Sequence, residues 1–199
     1  RLLLSGYSTE VWLEPGVTAE AARRAAGLGL RVHGNQLAPG PGVQLAVELG
    51  AASVDHVNYL SDEDFKLLAE SETVATLLPA CDLSTREELA PGRKLIDAGA
   101  TVAIASNLNP GTSFTSSMNF CVTTAVLQQR LTLDEAIEAA TTGGAKALRR
   151  HNVGGGKDPQ GRPAKGTLVP GAAADLHILD AENAINLAYR PGMPITWQT

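Results

Sequence analysis

Histidine, carboxylate and amide side chains stand where short apolar runs of this sequence end. His33 and His56 each close such a run, Asp82 follows a third, and Asn107 follows a fourth. Imidazole and carboxylate groups bind divalent metals, and a bound metal can acidify water and polarise a carbonyl group. A lone histidine at a strand end is more often structural than a ligand, so the residue types alone leave both interpretations open.

The elements that would position these residues alternate along the first two thirds of the chain. The sequence predicts strands at 11–13, 30–33, 53–56, 73–79 and 101–106, and helices at 18–27, 44–49, after Ser61 and at 93–98. This alternation is typical of βα units that build a parallel sheet. In such sheets the active site lies at the carboxyl ends of the strands, which is where the polar residues occur.

The pattern changes after Asn107. Two helices are predicted at 114–129 and 132–150, the second with Thr132 as its N-cap and acidic residues in its first turn. A loop rich in glycine and proline follows at 154–163. The segments 166–171 and 174–180 then predict two short strands outside the main sheet.

Composition and charge narrow the classes of function. The 199 residues are 44% hydrophobic and 19% charged, with a formal net charge of -5 and no basic stripe. This balance argues against a nucleic-acid partner, and no apolar run is long enough to cross a membrane, so a small-molecule substrate is expected. Cys81 and Cys121 lie far apart and are expected to be free core residues in a reducing cytoplasm. The chain begins with Arg1, within sequence that looks structured, so an upstream portion is expected.

Three motifs together resemble the imidazolonepropionases of the amidohydrolase superfamily. They are VHGNQL at 32–37, ASVDH at 52–56 and AIASNLNPGTS at 103–113, with VATLLP at 74–79 in the matching interval. They are similar to the fifth-, sixth- and eighth-strand motifs of that family. The segment GTLVPGAAADL at 166–176 is similar to many amidohydrolases and discriminates little.

The resemblance implies a role for each matching residue. His33 would be a metal ligand, Gln36 would contact the substrate ring, and His56 would act on the attacking water and the reacting carbonyl. Asn109, Gly111 and Thr112 would hold the part of the substrate that becomes glutamate. The implied cofactor is Zn²⁺ or Fe³⁺, and a homodimer of the full-length protein is compatible with the family. Asp55, which precedes His56, is expected on the opposite face of its strand as a packing or supporting residue.

Two features depart from the family. Asn107 occupies the position of an aspartate that binds the metal and accepts a proton, so its own role as a ligand is doubtful. The His-x-His pair of the family's first strand does not occur among the 199 residues. The chain as it stands is therefore expected to be inactive.

The resemblance implies an α/β fold, namely a partial (β/α)₈ TIM barrel over 1–153 with strands resembling the fourth to the eighth. Residues 154–199 would hold a loop and a remnant of a flanking β-sandwich. The implied reaction opens the cyclic amide of 4-imidazolone-5-propanoate. One alternative is another cyclic amidohydrolase or aminohydrolase, against which Asn109 and its neighbours argue. The other is a metal-free, non-catalytic remnant that binds a small ligand, which Asn107 favours and metal analysis would distinguish.

Overall fold

A computed structural model describes residues 2–5, 8–11, 30–193, 195 and 196 of the protein. The strands are β1 (Leu2–Ser5), β2 (Ser8–Val11), β3 (Leu30–Gly34), β4 (Ser53–His56), β5 (Val74–Leu77) and β6 (Val102–Ile104). The α-helices are α1 (Gly42–Glu48), α2 (Asp62–Ala69), α3 (Pro79–Thr85), α4 (Gly92–Asp97), α5 (Met118–Leu127), α6 (Leu133–Glu138), α7 (Gly144–Ala147) and α8 (Asn186–Tyr189), and a π-helical turn (Ala139–Gly143) joins α6 to α7. The helix predicted at 18–27 and the end of the strand predicted at 11–13 lie outside the described residues.

The sheet contains six strands in chain order, β1 to β6. Strands β2 to β6 pair in parallel, which confirms the predicted α/β class and parallel sheet. Each parallel connection steps to the next position in the same direction, so the carboxyl ends of β3 to β6 lie along one edge. The antiparallel pairing of β1 with β2 was not predicted.

One row of apolar residues runs across the sheet and forms the centre of the core. Val32, Val54, Ala75 and Val102 are register partners on successive strands, and all four are buried. They belong to the same cluster as Val43 of α1. Because neighbouring residues of a strand point to opposite faces, the next residue of each strand lies on the other side of the sheet.

Two helices begin with the capping boxes that satisfy their first backbone N–H groups. Ser61 caps α2 and accepts a hydrogen bond from the N–H of Asp64, and Thr132 caps α6 in the same way through Glu135. Both starts were predicted from the sequence. The helical segment that begins at 133 ends at Ala147, three residues before its predicted end.

Several predicted elements were wrong. The helix predicted at 114–129 begins only at Met118, because the side chain of Ser117 caps it. The helix α3 was not predicted, and its first residue, Pro79, belonged to the strand predicted at 73–79. The described segments 166–171 and 174–180 form no strand: the first consists largely of bends and turns, and the second is mostly irregular, with an isolated bridge from Leu179 to Thr196.

The glycine-rich segment is held by a buried carboxylate. The Asp158 side chain accepts hydrogen bonds from the guanidinium groups of Arg150 and Arg162 at 2.7 and 2.8 Å, and from the backbone N–H groups of Gln160 and Arg162. Burial opposes ionisation, but these donors outweigh it and lower the pKa of Asp158 to about 2. Over the described residues, no helix is long and apolar enough to cross a membrane.

Candidate active site at the carboxyl ends of the strands

A polar row crosses the sheet beside the apolar one. His33, Asp55 and Thr76 are register partners on β3, β4 and β5. The Nε2 atom of His33 lies 3.9 Å from Oδ2 of Asp55, and the two side chains are only 10% and 17% exposed. Asp55 therefore lies on the same side of the sheet as His33, within ion-pair distance of it, which agrees with the expected supporting position.

The backbone at the end of β4 turns His56 towards His33. His56 has φ 82° and Val57 has φ 50°, both in the left-handed region that β-branched residues in particular avoid. As a result the imidazole rings of His33 and His56 lie with their centroids 5.2 Å apart and their planes inclined by 47°. The structure thus brings together the two histidines that the sequence singled out.

Burial keeps His56 neutral at physiological pH. The residue is 2% exposed. Desolvation by burial, together with the nearby charge of His33, lowers its pKa from 6.5 to about 3. A neutral imidazole can accept a proton or offer a nitrogen lone pair, and both abilities suit a group that acts on water or on a metal.

Asn35 holds the two histidine-bearing strand ends together. Its Nδ2 donates to the carbonyl of Tyr59 at 2.9 Å, and its Oδ1 accepts the N–H of Gly42 at the start of α1. Its own carbonyl accepts the N–H of Tyr59. This positioning role was not predicted from the sequence. The signal was an asparagine directly after a His-Gly pair, a residue type that tolerates the φ of 56° found here.

Gln36 points towards α3. Its Nε2 lies 3.8 Å from Sγ of Cys81, which is fully buried as predicted for a core cysteine. The site also includes Asp82, since potential ligand atoms of His56, Cys81 and Asp82 all lie within 4.8 Å of one another. Neither Cys81 nor Asp82 was predicted from the sequence to be a site residue.

Asp82 is a fully buried carboxyl group. Burial raises its pKa from 3.8 to about 6, and the Asn58 amide and the Ala90 N–H offset part of this effect. The Ala90 N–H lies 3.4 Å from Oδ2 of Asp82. Close to neutral pH this carboxyl group can therefore exchange a proton, as a general acid or base must.

Asn107 lies beyond β6, at the same sheet edge as the histidines. Its φ of 52° is left-handed, a conformation that asparagine and aspartate adopt more readily than most residues. Its carbonyl accepts a hydrogen bond of 2.7 Å from Nδ2 of Asn109. The structure places Asn107 on the expected edge and leaves its role as a ligand a prediction.

The Asn109 side chain holds the loop after β6. Its Oδ1 accepts the N–H groups of Gly111 and Thr112, each at 2.8 Å, and its Nδ2 lies 2.9 Å from Oγ1 of Thr112. Its backbone N–H donates to the carbonyl of Ser113. In this conformation Asn109 shapes the loop, and Gly111 is exposed at its tip.

Known proteins resemble the chain in sequence and in structure. The model of the amidohydrolase family matches residues 41–195. An imidazolonepropionase of Saccharopolyspora erythraea is 64% identical over 180 residues, which are 90% of this chain and 44% of that protein. This agrees with the family resemblance found in the motifs. The chain spans less than half the length of the curated relatives it matches.

Two solved structures share the fold. An adenosine deaminase of Xanthomonas campestris with bound zinc has a TM-score of 0.66 and 19% identity, over 85% of this chain and 43% of that one. A mutant atrazine chlorohydrolase of Arthrobacter aurescens, in complex with zinc and atraton, has a TM-score of 0.67 and 21% identity, over 90% and 46%. At these identities the likeness concerns the fold alone.

Proposed function

Because this chain belongs to the amidohydrolase family, we propose that it is the C-terminal part of an imidazolonepropionase. The full-length protein would add water to the cyclic amide of 4-imidazolone-5-propanoate and release N-formimidoyl-L-glutamate in histidine breakdown. The observation that carries this proposal is the closeness of His33 and His56 at the strand ends, where the centroids of their imidazole rings lie 5.2 Å apart. The 64% identity to an imidazolonepropionase supports the choice of substrate.

The donor set of this chain fits part of a metal site. His33 offers a buried imidazole supported by Asp55, whereas Asn107 offers a neutral amide oxygen. A bound metal ion is the coarser expectation, since the two structural neighbours hold zinc. Zn²⁺ or Fe³⁺ is the finer proposal, with His33 as a ligand and the His-x-His pair outside the 199 residues. When bound, the metal would activate water and polarise the substrate carbonyl.

The side chains of this chain would orient the substrate and move protons. His56, neutral and turned towards His33, would hydrogen bond to the reacting carbonyl and to the attacking water. Gln36 would contact the ring. The loop that Asn109 holds would present Gly111 and Thr112 to the propanoate chain.

The order of the strands in the sheet supports a (β/α)₈ barrel. Five parallel strands follow one another in chain order, as they do in a (β/α)₈ barrel and unlike a doubly wound sheet, whose strand order reverses. We place β2 to β6 as the fourth to eighth strands of such a barrel, and residues 154–199 as a β-sandwich remnant. A cytoplasmic location and a homodimer of the full-length protein belong to the same proposal.

The experiment that tests the proposal compares the full-length protein with its Asn107→Asp variant. The substitution introduces a residue type that also tolerates the left-handed backbone, so the fold should be unchanged. A carboxylate adds charge for the metal and an acceptor for the proton, so we expect higher metal content and turnover raised by about 10²–10⁴-fold. Elemental analysis and loss of imidazolonepropionate absorbance measure the two effects separately. Equal metal content and equal rates in both proteins would contradict the assignment of this position.

A further inference from the structure

Three buried side chains form a compact donor cluster next to the proposed active site. His56, Cys81 and Asp82 are 2%, 0% and 0% exposed, and their potential ligand atoms all lie within 4.8 Å of one another. We call this set the thiol cluster. It combines an imidazole, a thiol and a carboxyl group, the three side-chain types that bind zinc in proteins.

Two atoms of the thiol cluster have unused hydrogen-bonding capacity. Within the part of the chain that the structure describes, Nδ1 of His56 and Oδ1 of Asp82 are buried and have no hydrogen-bond partner. Buried polar atoms are nearly always paired, with protein, water or an ion. An unpaired nitrogen and an unpaired oxygen on two of the three clustered residues are groups that a bound cation would satisfy.

The backbone positions the cluster. The N–H groups of Cys81 and Asp82 donate to the carbonyl of Leu78, at 2.9 and 3.1 Å, so both residues are set by the turn that follows β5. His56 is the last residue of β4, and its φ of 82° is left-handed. Gln36 approaches from β3, with its Nε2 3.8 Å from Sγ of Cys81, where it can donate a hydrogen bond to a thiolate. Segments after three neighbouring strands thus converge on one point.

The geometry points to a thiophilic divalent cation, and we propose that the thiol cluster binds Zn²⁺ or Cd²⁺. Ligand atoms around a tetrahedral zinc ion lie about 3.5 Å apart, given metal–ligand distances of about 2.0–2.3 Å. The separations here are within 4.8 Å, so binding requires the three side chains to close towards one another. Sulfur favours zinc and cadmium over magnesium or calcium, which prefer oxygen ligands.

This site differs from the metal site of the proposed reaction. It needs neither Asn107 nor any residue beyond the described chain, and its thiolate comes from Cys81. An ion bound here occupies the imidazole of His56 and therefore inhibits hydrolysis. The inhibition rests on the proposed function, whereas the binding does not.

The test is a Cd²⁺ titration of the protein, monitored by the ultraviolet charge-transfer absorption from sulfur to cadmium. We expect a band that saturates at one thiolate-bound ion per chain. Cys81→Ser should abolish the band, because no thiol remains in the cluster, and Gln36→Ala should weaken binding about 10–100-fold as a supporting residue. Cys121→Ser is the matched control, since Cys121 is an equally buried free cysteine outside the cluster, and it should keep the band.

Three results would overturn the proposal. They are no band at saturating Cd²⁺, an unchanged band in Cys81→Ser, or loss of the band in folded Cys121→Ser but not in Cys81→Ser. If Cys81→Ser does not fold, Asp82→Asn decides, because it keeps the thiol and removes only the carboxylate ligand. We expect it to raise the Kd for Cd²⁺ at least tenfold, and an unchanged Kd would contradict the site. Since none of these measurements uses turnover, their failure is distinct from failure of the proposed reaction.

Discussion

Replacing Asp82 by asparagine should stabilise the fold at neutral pH. Burial raises the pKa of Asp82 from 3.8 to about 6, so the folded protein holds this proton over a pH range in which the unfolded chain releases it. The contribution of protonated Asp82 to the free energy of unfolding is fully present below pH 4 and is lost as the pH rises through 6. Each pKa unit corresponds to about 1.4 kcal/mol, so ionisation of Asp82 lowers the free energy of unfolding at pH 7 by about 3 kcal/mol.

Asparagine has nearly the same shape, keeps an oxygen to accept the Ala90 N–H, and does not ionise. The assay is denaturant unfolding of parent and Asp82→Asn proteins from pH 4 to pH 7, with a chelator present so that no metal contributes. We expect similar stability at pH 4 and a gain of up to about 3 kcal/mol for Asp82→Asn at pH 7. The exposed Asp180→Asn serves as the control and should show no such gain. A gain that does not grow with pH, or a variant less stable than the parent at pH 7, would refute this account of the buried carboxyl group.

Three further predictions concern the fold. Gly143→Ala should destabilise the protein by about 3 kcal/mol or more, because a Cβ at this position would lie 2.1 Å from the Val102 carbonyl oxygen. The control is Gly144→Ala, whose Cβ would meet nothing closer than 3.9 Å. In thermal melts the control should unfold no more easily than the parent. Glu135→Gln removes the ion pair with Arg93 that lowers the pKa of Glu135 to about 2. In urea unfolding at pH 7 the variant should be less stable than the parent by about 1 kcal/mol. This difference in the free energy of unfolding should shrink as the pH falls from 4.5 towards 2. The 199 residues expressed alone should self-associate in sedimentation, since β1 and β6 are the edges of the described sheet; a monodisperse monomer with a cooperative melt would count against this.

The sequence predicted the sheet edge that carries the candidate site, because apolar strands and polar strand ends are local signals. His33, His56 and Asn107 all lie where the strand pattern placed them, and the caps Ser61 and Thr132 are equally local. The resemblance to a known family then assigned roles that spacing alone could not.

Contacts between segments distant in sequence were not predictable. Cys81 and Asp82 follow the strand run of 73–79 by only a few residues, but their closeness to His56 depends on the turn at Leu78 and on the left-handed backbone of His56. The alternation along β4 predicted a supporting position for Asp55 but not which residue it would support. Pairing across strands, and not alternation alone, sets Asp55 beside His33.

The strands predicted at 166–171 and 174–180 show a second limit. Alternating apolar residues form a strand only when another strand pairs with them. Leu168, Leu176 and Ile178 are 79%, 61% and 59% exposed, and the described residues supply only the bridge from Leu179 to Thr196. The alternation of apolar residues is present, but the described residues contain no neighbouring strand with which these two segments could pair.

The most direct test of the central claim is the turnover of 4-imidazolone-5-propanoate by the full-length protein carrying Asn107→Asp, with His56 intact or replaced by alanine. The account predicts ring opening with His56 and a rate about 10²–10⁴-fold lower in His56→Ala, with metal content and folding retained. No ring opening in the protein with His56, or equal rates in the two, would contradict the claim that these strand ends form an imidazolonepropionase site.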